Sequence, residues 1–339
     1  MGVDISSILN IQSVQFKDLN GKVIAIDAYN ALYQFLSIIR QADGTPLKDS
    51  AGRITSHISG LFYRTSNILE FGIKPVYVFD GKPPELKRSV IEKRNAIRNN
   101  AEAEWKSAME SGNLEEARKW SQQSSRVNRE VVEESKRLLD YMGIAWIQAP
   151  SEGEAQASYM ARKGDAYGVG SQDYDSLLFN TPYLLRNLTV SGKRKMPGKK
   201  VYKDISPEMI DLAKNLKILQ ITREQLVDMG ILIGTDFNEG IKNIGPKKAL
   251  LLIKKYGNLE NIEKEKGFKI ENYEQVRSIF LNPDIIQDYK IEWKQIDDLK
   301  LAEFLCEEHD FSRERVSSVI EKLKMFQKNK AQKDLSEWL

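Results

Sequence analysis

Two apolar runs of one form, each closed by an aspartate, constrain this chain most: Val23-Ile24-Ala25-Ile26-Asp27 and Val76-Tyr77-Val78-Phe79-Asp80. Each has the length and side chains of a buried strand, and stretches 31–39 and 58–71 between them carry helical spacing. Strands that alternate with helices imply a parallel sheet. Residues 144–147 and Tyr167-Gly168-Val169-Gly170 supply a third and a fourth candidate, the latter leading into Asp173-Tyr174-Asp175. In such sheets ligands gather beyond the carboxyl ends of the strands. Asp27, Asp80 and the Asp173/Asp175 pair fall at those ends.

The expected fold is therefore α/β: a central, mostly parallel sheet flanked by helices. At 339 residues, with 41% hydrophobic and 29% charged residues, the chain has room for two domains, or for one large domain with an insertion, and for a core that needs no staples. The single cysteine, Cys306, excludes an internal disulfide framework and a cysteine-built zinc finger. With only His57 and His309 available, a catalytic metal would have to be held by oxygen. No apolar run approaches the ~18 residues of a membrane span and no signal-peptide pattern is present, so a soluble, intracellular protein without membrane contact is expected. The net charge of +3 names no partner, but basic residues cluster at 82–98 and 193–203 while several acids stand singly at the ends of apolar runs. A basic surface around an acidic pocket suits a polyanion cut with the help of divalent cations.

Residues 83–141 are polar and helix-forming, with a break at Gly112-Asn113, and read as a helical arm inserted between the second and third strands. Residues 192–200 read as an exposed basic loop, 207–328 as almost wholly helical, and 331–339 as a free tail.

Seven acids stand out: Asp27, Asp80, Glu152, Glu154, Asp173, Asp175 and Asp236. In a strand-like stretch Asp173 and Asp175 share a side. Two like charges ~4 Å apart repel by roughly 4 kcal/mol at an effective dielectric near 20. Brought together, seven carboxylates require protons or cations. Mg²⁺ takes oxygen ligands and keeps several waters, and two such ions can activate a water and stabilise the leaving oxygen of a phosphodiester. A structural reading competes. An aspartate after a strand serves equally as a helix cap, and Ser151-Glu152-Gly153-Glu154 has the pattern of a capping box, which accounts for Glu154 and leaves Glu152 unexplained. Both glutamates reach one site only at the start of the helix, because residues two apart on a regular helix do not share a face.

Residues Asn238 to Ala249 read as a helix-hairpin-helix turn: glycines allow close backbone approach and Pro246 suits the first turn of the next helix. Amides at that helix start, with Lys242, Lys247 and Lys248, can grip phosphates without reading sequence.

In order along the chain, Met1-Gly2-Val3-Asp4, Asp27-Ala28-Tyr29-Asn30, Tyr77 to Pro84, Ala149 to Ala157, Ser171 to Asp175 and Gly234-Thr235-Asp236 resemble the motif blocks of the structure-specific flap endonucleases in their short archaeal form. The resemblance spans nearly the whole chain. It implies that all seven acids hold metal directly or through water, two Mg²⁺ per site with Mn²⁺ able to substitute. Lys87 and Arg94, with Arg98 continuing their helix face, fall on the family's catalytic basic positions at the base of a helical arch. Tyr33 falls on an aromatic that stacks on a base near the cut. Gly2, Arg40, Arg64, Glu152, Gly234 and Asp236 fall on DNA-contacting positions, and K⁺ is implied at the helix-hairpin-helix.

The implied organisation is an N-terminal nuclease region (1–98), an arch (82–130), an internal nuclease region (116–258, with the helix-hairpin-helix at 236–257), a C-terminal helical region (259–330) and a tail (331–339). Gln332, Leu335, Trp338 and Leu339 are similar to the motif that docks into a sliding clamp, although the chain ends where a second aromatic would stand. The implied activity is Mg²⁺-dependent cleavage of 5′-flap and nicked DNA, endonucleolytic with 5′-3′ exonuclease activity. It would serve Okazaki fragment maturation and repair, in a monomer acting at replication sites. A sister 5′ nuclease, a phosphatase built on Asp173 and Asp175, and a DNA-binding clamp adaptor on an inactive nuclease fold are the alternatives. Each accounts for fewer of the quoted blocks.

Overall fold

The apolar runs around Ile26 and Val78 become adjacent parallel strands, paired Ala25 to Val76 and Asp27 to Val78. The computed structural model describes residues 2–41, 43–189, 193–195, 202–204, 206–267 and 269–336, with 193–195, 202–204 and 326–336 as backbone. Its strands are β1 (Gln12–Ser13), β2 (Val23–Asp27), β3 (Lys74–Phe79), β4 (Trp146–Gln148), β5 (Gly168–Gly170), β6 (Tyr183–Arg186), β7 (Lys193–Lys195), β8 (Tyr202–Asp204) and β9 (Glu208–Asp211). Seven of them form one sheet in the order β1-β9-β6-β5-β2-β3-β4. The run from β6 to β4 is parallel, and β9 joins β6 antiparallel. From β2 the chain moves outward through β3 to β4, then returns to the other side of β2 for β5 and β6. The strand order reverses between β2 and β5, and that reversal opens a crevice at their carboxyl ends.

The helices are α1 (Ala28–Ile38), α2 (Ser56–Glu70), α3 (Arg88–Glu110), α4 (Leu114–Gln123), α5 (Arg129–Met142), α6 (Gly153–Lys163), α7 (Asp175–Leu178), α8 (Leu212–Leu219), α9 (Arg223–Ile233), α10 (Pro246–Tyr256), α11 (Leu259–Lys266), α12 (Tyr273–Leu281), α13 (Asp298–Ala302) and α14 (Arg313–Ser336). Alternation along the strands sorts the core. Ile24, Ile26, Tyr77 and Phe79 face α1, α2 and α5 and join a cluster that takes in Leu301 and Phe304 near the C-terminus. Ala25, Val76 and Val78 face the other way, onto Ala157 and Met160 of α6. Burying one of the larger side chains fully stabilises the fold by about 1.5–3 kcal/mol. A third cluster holds Val3, Ile5 and α7 to α12 together.

The strands expected around 23–27, 76–80, 144–147 and 167–170 form, the third displaced to Trp146–Gln148. β6 was not expected: four residues after Thr181-Pro182 give no readable period. The arm is α3 and α4, split at Gly112-Asn113, where Asn113 caps α4 by accepting from the Glu116 amide. α5 is not part of it, because Val131, Leu138, Leu139 and Met142 are buried in the core. The basic segment 192–200 is not simply a loop, since β7 and β8 pair as an antiparallel hairpin. Nor is 331–339 wholly a free tail, because α14 runs on to Ser336; Trp338 and Leu339 lie outside the described residues. No helix among the described residues is long and apolar enough to cross a membrane.

Candidate active site

Asp27 ends β2 and caps α1, accepting from the Asn30 amide at 3.0 Å. The Asn30 side chain then reaches across the crevice: its Nδ2 donates to Asp173 Oδ2 at 3.0 Å and its Oδ1 accepts from the Gln172 amide at 3.1 Å. Asp173 is thus held in the bend after β5, not in a strand as the sequence suggested. Asp175 is the first residue of α7 and accepts from the Val3 amide at 2.7 Å. This bond brings the amino terminus to the site. A Cβ at Gly2 would sit 2.5 Å from Asp175 Oδ2, so a larger residue there would push the Asp175 carboxylate aside.

The expected capping box at Ser151 does not form. α6 begins one residue later, with Glu152 at its N-cap and no side-chain cap bond. Its first amide, Gly153 N, donates instead to Asp80 Oδ1 at 2.6 Å. The cap comes from the end of β3, and both glutamates are released. Glu154 accepts from Ser176 Oγ at 2.8 Å and Ser171 Oγ at 3.0 Å; Ser171 Oγ also lies 3.4 Å from Asp27. Glu152 accepts from Lys87 Nζ at 2.5 Å, and that ammonium is 3.9 Å from Asp236. Asp236, in the turn after α9, also accepts from Arg94 at 2.5 Å. Lys87 stands in a 3₁₀ turn, Glu85–Lys87, ahead of α3 rather than on the same helix face as Arg94. The two still meet at Asp236. Arg98 does not continue the pair; its guanidinium lies 5.4 Å from the Tyr33 ring centre.

All seven acids thus gather around the carboxyl end of the sheet, linked through shared partners rather than by direct contact, and their charges act on one another. Burial, then the charges of Asp80 and Asp173, push Asp27 well above the usual carboxylate range. Burial, then Asp27, Asp175 and Asp173, do the same to Glu154. Burial and Asp236 raise Asp175 to about 7, against the Val3 amide. Burial raises Asp80 and Glu152 despite Lys87. Burial disfavours the charge on Lys87 too, but Glu152, Asp80 and Asp236 outweigh it and hold the ammonium above the ordinary lysine range.

The XPG N-terminal domain family matches residues 3–101, and the XPG I-region family matches residues 143–236. Flap endonuclease 1 of Archaeoglobus fulgidus is 55% identical over 331 residues, covering 98% of each chain. This chain belongs to the flap endonuclease family. The solved flap endonuclease-1 from Methanococcus jannaschii is similar over 97% of this chain and 100% of its own, at 40% identity and a TM-score of 0.77. The catalytic core of Rad2 in complex with DNA substrate is similar over 92% of this chain and 96% of its own, at 25% identity and a TM-score of 0.68. Like the rest of the flap endonuclease family, the chain is a DNA nuclease, and the family's nucleases are metal-dependent.

The residues present fit a hard cation. They offer only oxygen, they outnumber the two cations beside them, and burial leaves several of them poorly able to keep their charge. Among the described residues no three acids already converge at ligand spacing; amides, hydroxyls, Lys87 and Arg94 occupy their oxygens.

Other family positions lie elsewhere. Tyr33 is exposed, with 37% of its surface open. Arg40 is not on the surface. It is half-buried at the end of α1, donating to Gly44 O at 2.9 Å, Ser125 Oγ at 2.6 Å and Ser121 Oγ, which ties α1 to the arm's second helix. Burial lowers its pKa to about 10. It lines a cavity of about 280 Å³ between the core and the arm, away from the seven acids. Arg64 is half-buried in α2. At the stretch read as a helix-hairpin-helix, α9 and α10 flank a turn that starts at Gly234, ahead of the expected 236–257, with Gly245 as N-cap, Pro246 in the first turn of α10, and Lys242, Lys247 and Lys248 exposed. Gly240, at φ 68°, is obligatory because a Cβ there would lie 2.4 Å from Gly234 N. Gln332 and Leu335 lie on the backbone of α14.

Sequence reading missed three groups that organise the acids, Asn30, Ser171 and Ser176. Each sits inside a quoted block or one residue beyond it, and an uncharged donor beside an acid was the only signal. It also left Gln156 without a role. That side chain faces away from the acids and exchanges two hydrogen bonds with Ile286, pinning the strand-free segment that follows α12.

Proposed function

We propose that the chain hydrolyses a phosphodiester near the single-strand/double-strand junction of 5′-flap DNA, endonucleolytically with some 5′-3′ exonuclease activity, in Okazaki fragment maturation and repair. One observation carries this reading: acids from five separate segments meet beside Lys87 and Arg94 at the switch point of the sheet.

Asp27, Asp80, Glu152, Glu154, Asp173, Asp175 and Asp236 would hold two Mg²⁺, with Mn²⁺ as substitute. When bound, such ions supply an activated water and charge stabilisation at a phosphate. The protein supplies the rest. Lys87 and Arg94, now seated on Glu152 and Asp236, turn to the scissile phosphate and offset its developing charge. The Ser171 and Ser176 hydroxyls keep Glu154 facing the crevice. Tyr33, open to solvent beside Arg98, receives a base close to the cut. Gly2, Glu152, Gly234 and Asp236 lie where the DNA backbone passes, and Arg64 meets it from α2. Arg40 joins them once its bonds to α4 are exchanged for a phosphate.

The arm formed by α3 and α4 admits the single-stranded 5′ end. Amides at the start of α10, with Lys242, Lys247, Lys248 and a K⁺, hold the duplex through its phosphates. Selection is by shape, because a nicked or flapped junction bends more cheaply than continuous duplex. Binding should weaken steeply as salt rises. The protein acts as a monomer inside the cell at replication sites. Gln332, Leu335, Trp338 and Leu339 dock it on a sliding clamp, so deleting residues 332–339 abolishes clamp stimulation and spares clamp-free cleavage.

Incubation with a labelled double-flap DNA, with Mg²⁺ or with chelator, tests the reading. One released oligonucleotide is expected, with Mg²⁺ only. Mononucleotides alone point to a sister exonuclease, a covalent phosphoenzyme to a phosphatase, and binding without cutting to an adaptor.

A further inference from the structure

We propose that Asn30 is a positioning residue of this nuclease: its side-chain amide fixes the Asp173 carboxylate across the crevice between β2 and β5, and so sets how tightly the site takes divalent cations. The inference rests on the reading of the seven acids as a metal site and adds to it a residue that carries no charge.

Three bonds place Asn30. Its backbone N–H meets Asp27 Oδ1 at 3.0 Å, its Nδ2 meets Asp173 Oδ2 at 3.0 Å, and its Oδ1 takes the Gln172 N–H at 3.1 Å. The orientation of the side chain is unambiguous. A backbone N–H can only donate, so the amide oxygen faces Gln172 and the NH₂ faces Asp173. One residue therefore touches acids on both sides of the point where strand order reverses. It holds Asp173 at two points, through the carboxylate and through the N–H of the residue before it.

The chemistry of the donor matters. Lys87 and Arg94 also hold carboxylates of this cluster, but they do so by cancelling charge. An amide N–H fixes one oxygen and leaves the negative charge intact. Asp173 Oδ1 takes no part in this bond. Groups that orient a carboxylate ligand in this way typically change metal affinity about 10–100-fold when they are removed.

Water is a poor replacement. The cavity beside Asn30, lined by Ile26, Gly170, Leu185 and Leu188 among others, is about 10 Å³, room for at most one molecule. Ser171, Gln172 and Thr189 also line it, but a single water there would lack the backbone anchor that aims Asn30 Nδ2 at Asp173 Oδ2. The backbone N–H that donates to Asp27 survives any substitution but proline. A change at position 30 should therefore act on Asp173 and leave Asp27 in place.

The test uses the full-length protein with N30L, which keeps the branched outline without the hydrogen bonds, and N30A in case the bulkier N30L fails to fold. Three quantities are measured: the Mg²⁺ concentration for half-maximal single-turnover cleavage, flap-DNA affinity in EDTA, and the rise in Tm that Mg²⁺ or Mn²⁺ produces without DNA. The expected result is a Mg²⁺ midpoint raised about tenfold or more. Cleavage should recover in part at high Mg²⁺, the cation-induced rise in Tm should shrink, and DNA affinity in EDTA should stay within about twofold. A wild-type Mg²⁺ midpoint overturns the proposal. So does a variant that loses DNA affinity or Tm in EDTA while its midpoint stays put, since that marks a merely structural residue. D173N run alongside separates the two levels: if it still cuts, the metal-site reading itself has failed.

Discussion

Arg94, on the first helix of the arm, donates to Asp236 at 2.5 Å across 142 positions of chain. Lys87 lies 3.9 Å from the same aspartate while it holds Glu152. The base of the arm is thus fastened to the acids by the very side chains proposed to engage the scissile phosphate. Replacing Lys87 or Arg94 by alanine should lower the single-turnover cleavage rate by roughly 10²–10³, the loss typical of one removed charge-stabilising donor. Flap affinity should change only a few-fold. Rapid-quench cleavage and fluorescence anisotropy check both. A variant that cuts at the wild-type rate removes these residues from the chemistry.

The acid cluster gives stability a pH signature. Asp27 and Glu154 lie well above the usual carboxylate range, and Asp175 titrates at about 7. Without a divalent cation, the folded chain therefore holds protons that the unfolded chain has already lost. Stability present at acid pH is lost as pH rises from the ordinary carboxylate range toward 7. Scanning calorimetry in chelator should show Tm falling between pH 5 and pH 8. Added Mg²⁺, which takes over the protons' part, should raise Tm more at pH 8 than at pH 5.5. A flat or rising Tm in chelator contradicts this.

Of the site, the acids at strand ends were the most legible in the sequence. A parallel strand delivers its last residue to the ligand edge whatever else surrounds it, and Asp27 and Asp80 needed no more than that. Glu152 and Glu154 were half-legible. The capping pattern at Ser151 is locally sound, but a distant carboxylate, Asp80, captured the helix's first amide and moved the cap by one residue. Arg40 was illegible because its burial depends on Ser121 and Ser125, more than eighty positions away along the chain. β6 and β9 were missed because short strands gain their stability from neighbours in the sheet rather than from their own pattern.

The two histidines, which the sequence left without a role, meet in the core. His57 Nε2 lies 2.9 Å from Glu134, and His309 Nδ1 lies 3.0 Å from Asp49, with its Nε2 3.6 Å from Glu134. Burial works against charge on Asp49, but the Arg53 amide, His309 and the Arg53 guanidinium outweigh it and hold its carboxyl below the usual range. Its stabilising contribution is present above the ordinary carboxylate pKa and is lost as pH falls through the lowered value. D49N should cost roughly 1.5–3 kcal/mol at pH 7, the range for hydrogen bonds to a charged group. That deficit should narrow below pH 4. Urea unfolding at the two pH values decides it, and an equal deficit at both would count against the pairing.

Gly240 offers a test of duplex grip that leaves the metal site alone. Its positive φ and its contact with Gly234 leave no space for a methyl group. G240A should distort the turn before α10 and weaken binding of flap DNA about tenfold or more, an effect of at least 1.4 kcal/mol. The Mg²⁺-induced rise in Tm should persist. Unchanged affinity would show that the turn does not hold the duplex.

The central claim is that seven dispersed acids form one cation site. Crystals soaked in Mn²⁺ and read by anomalous scattering test it most directly. Two ions should appear among Asp27, Asp80, Glu152, Glu154, Asp173, Asp175 and Asp236, with Lys87 drawn off Glu152. Ions found only elsewhere, or none among these carboxylates at saturating Mn²⁺, would contradict it.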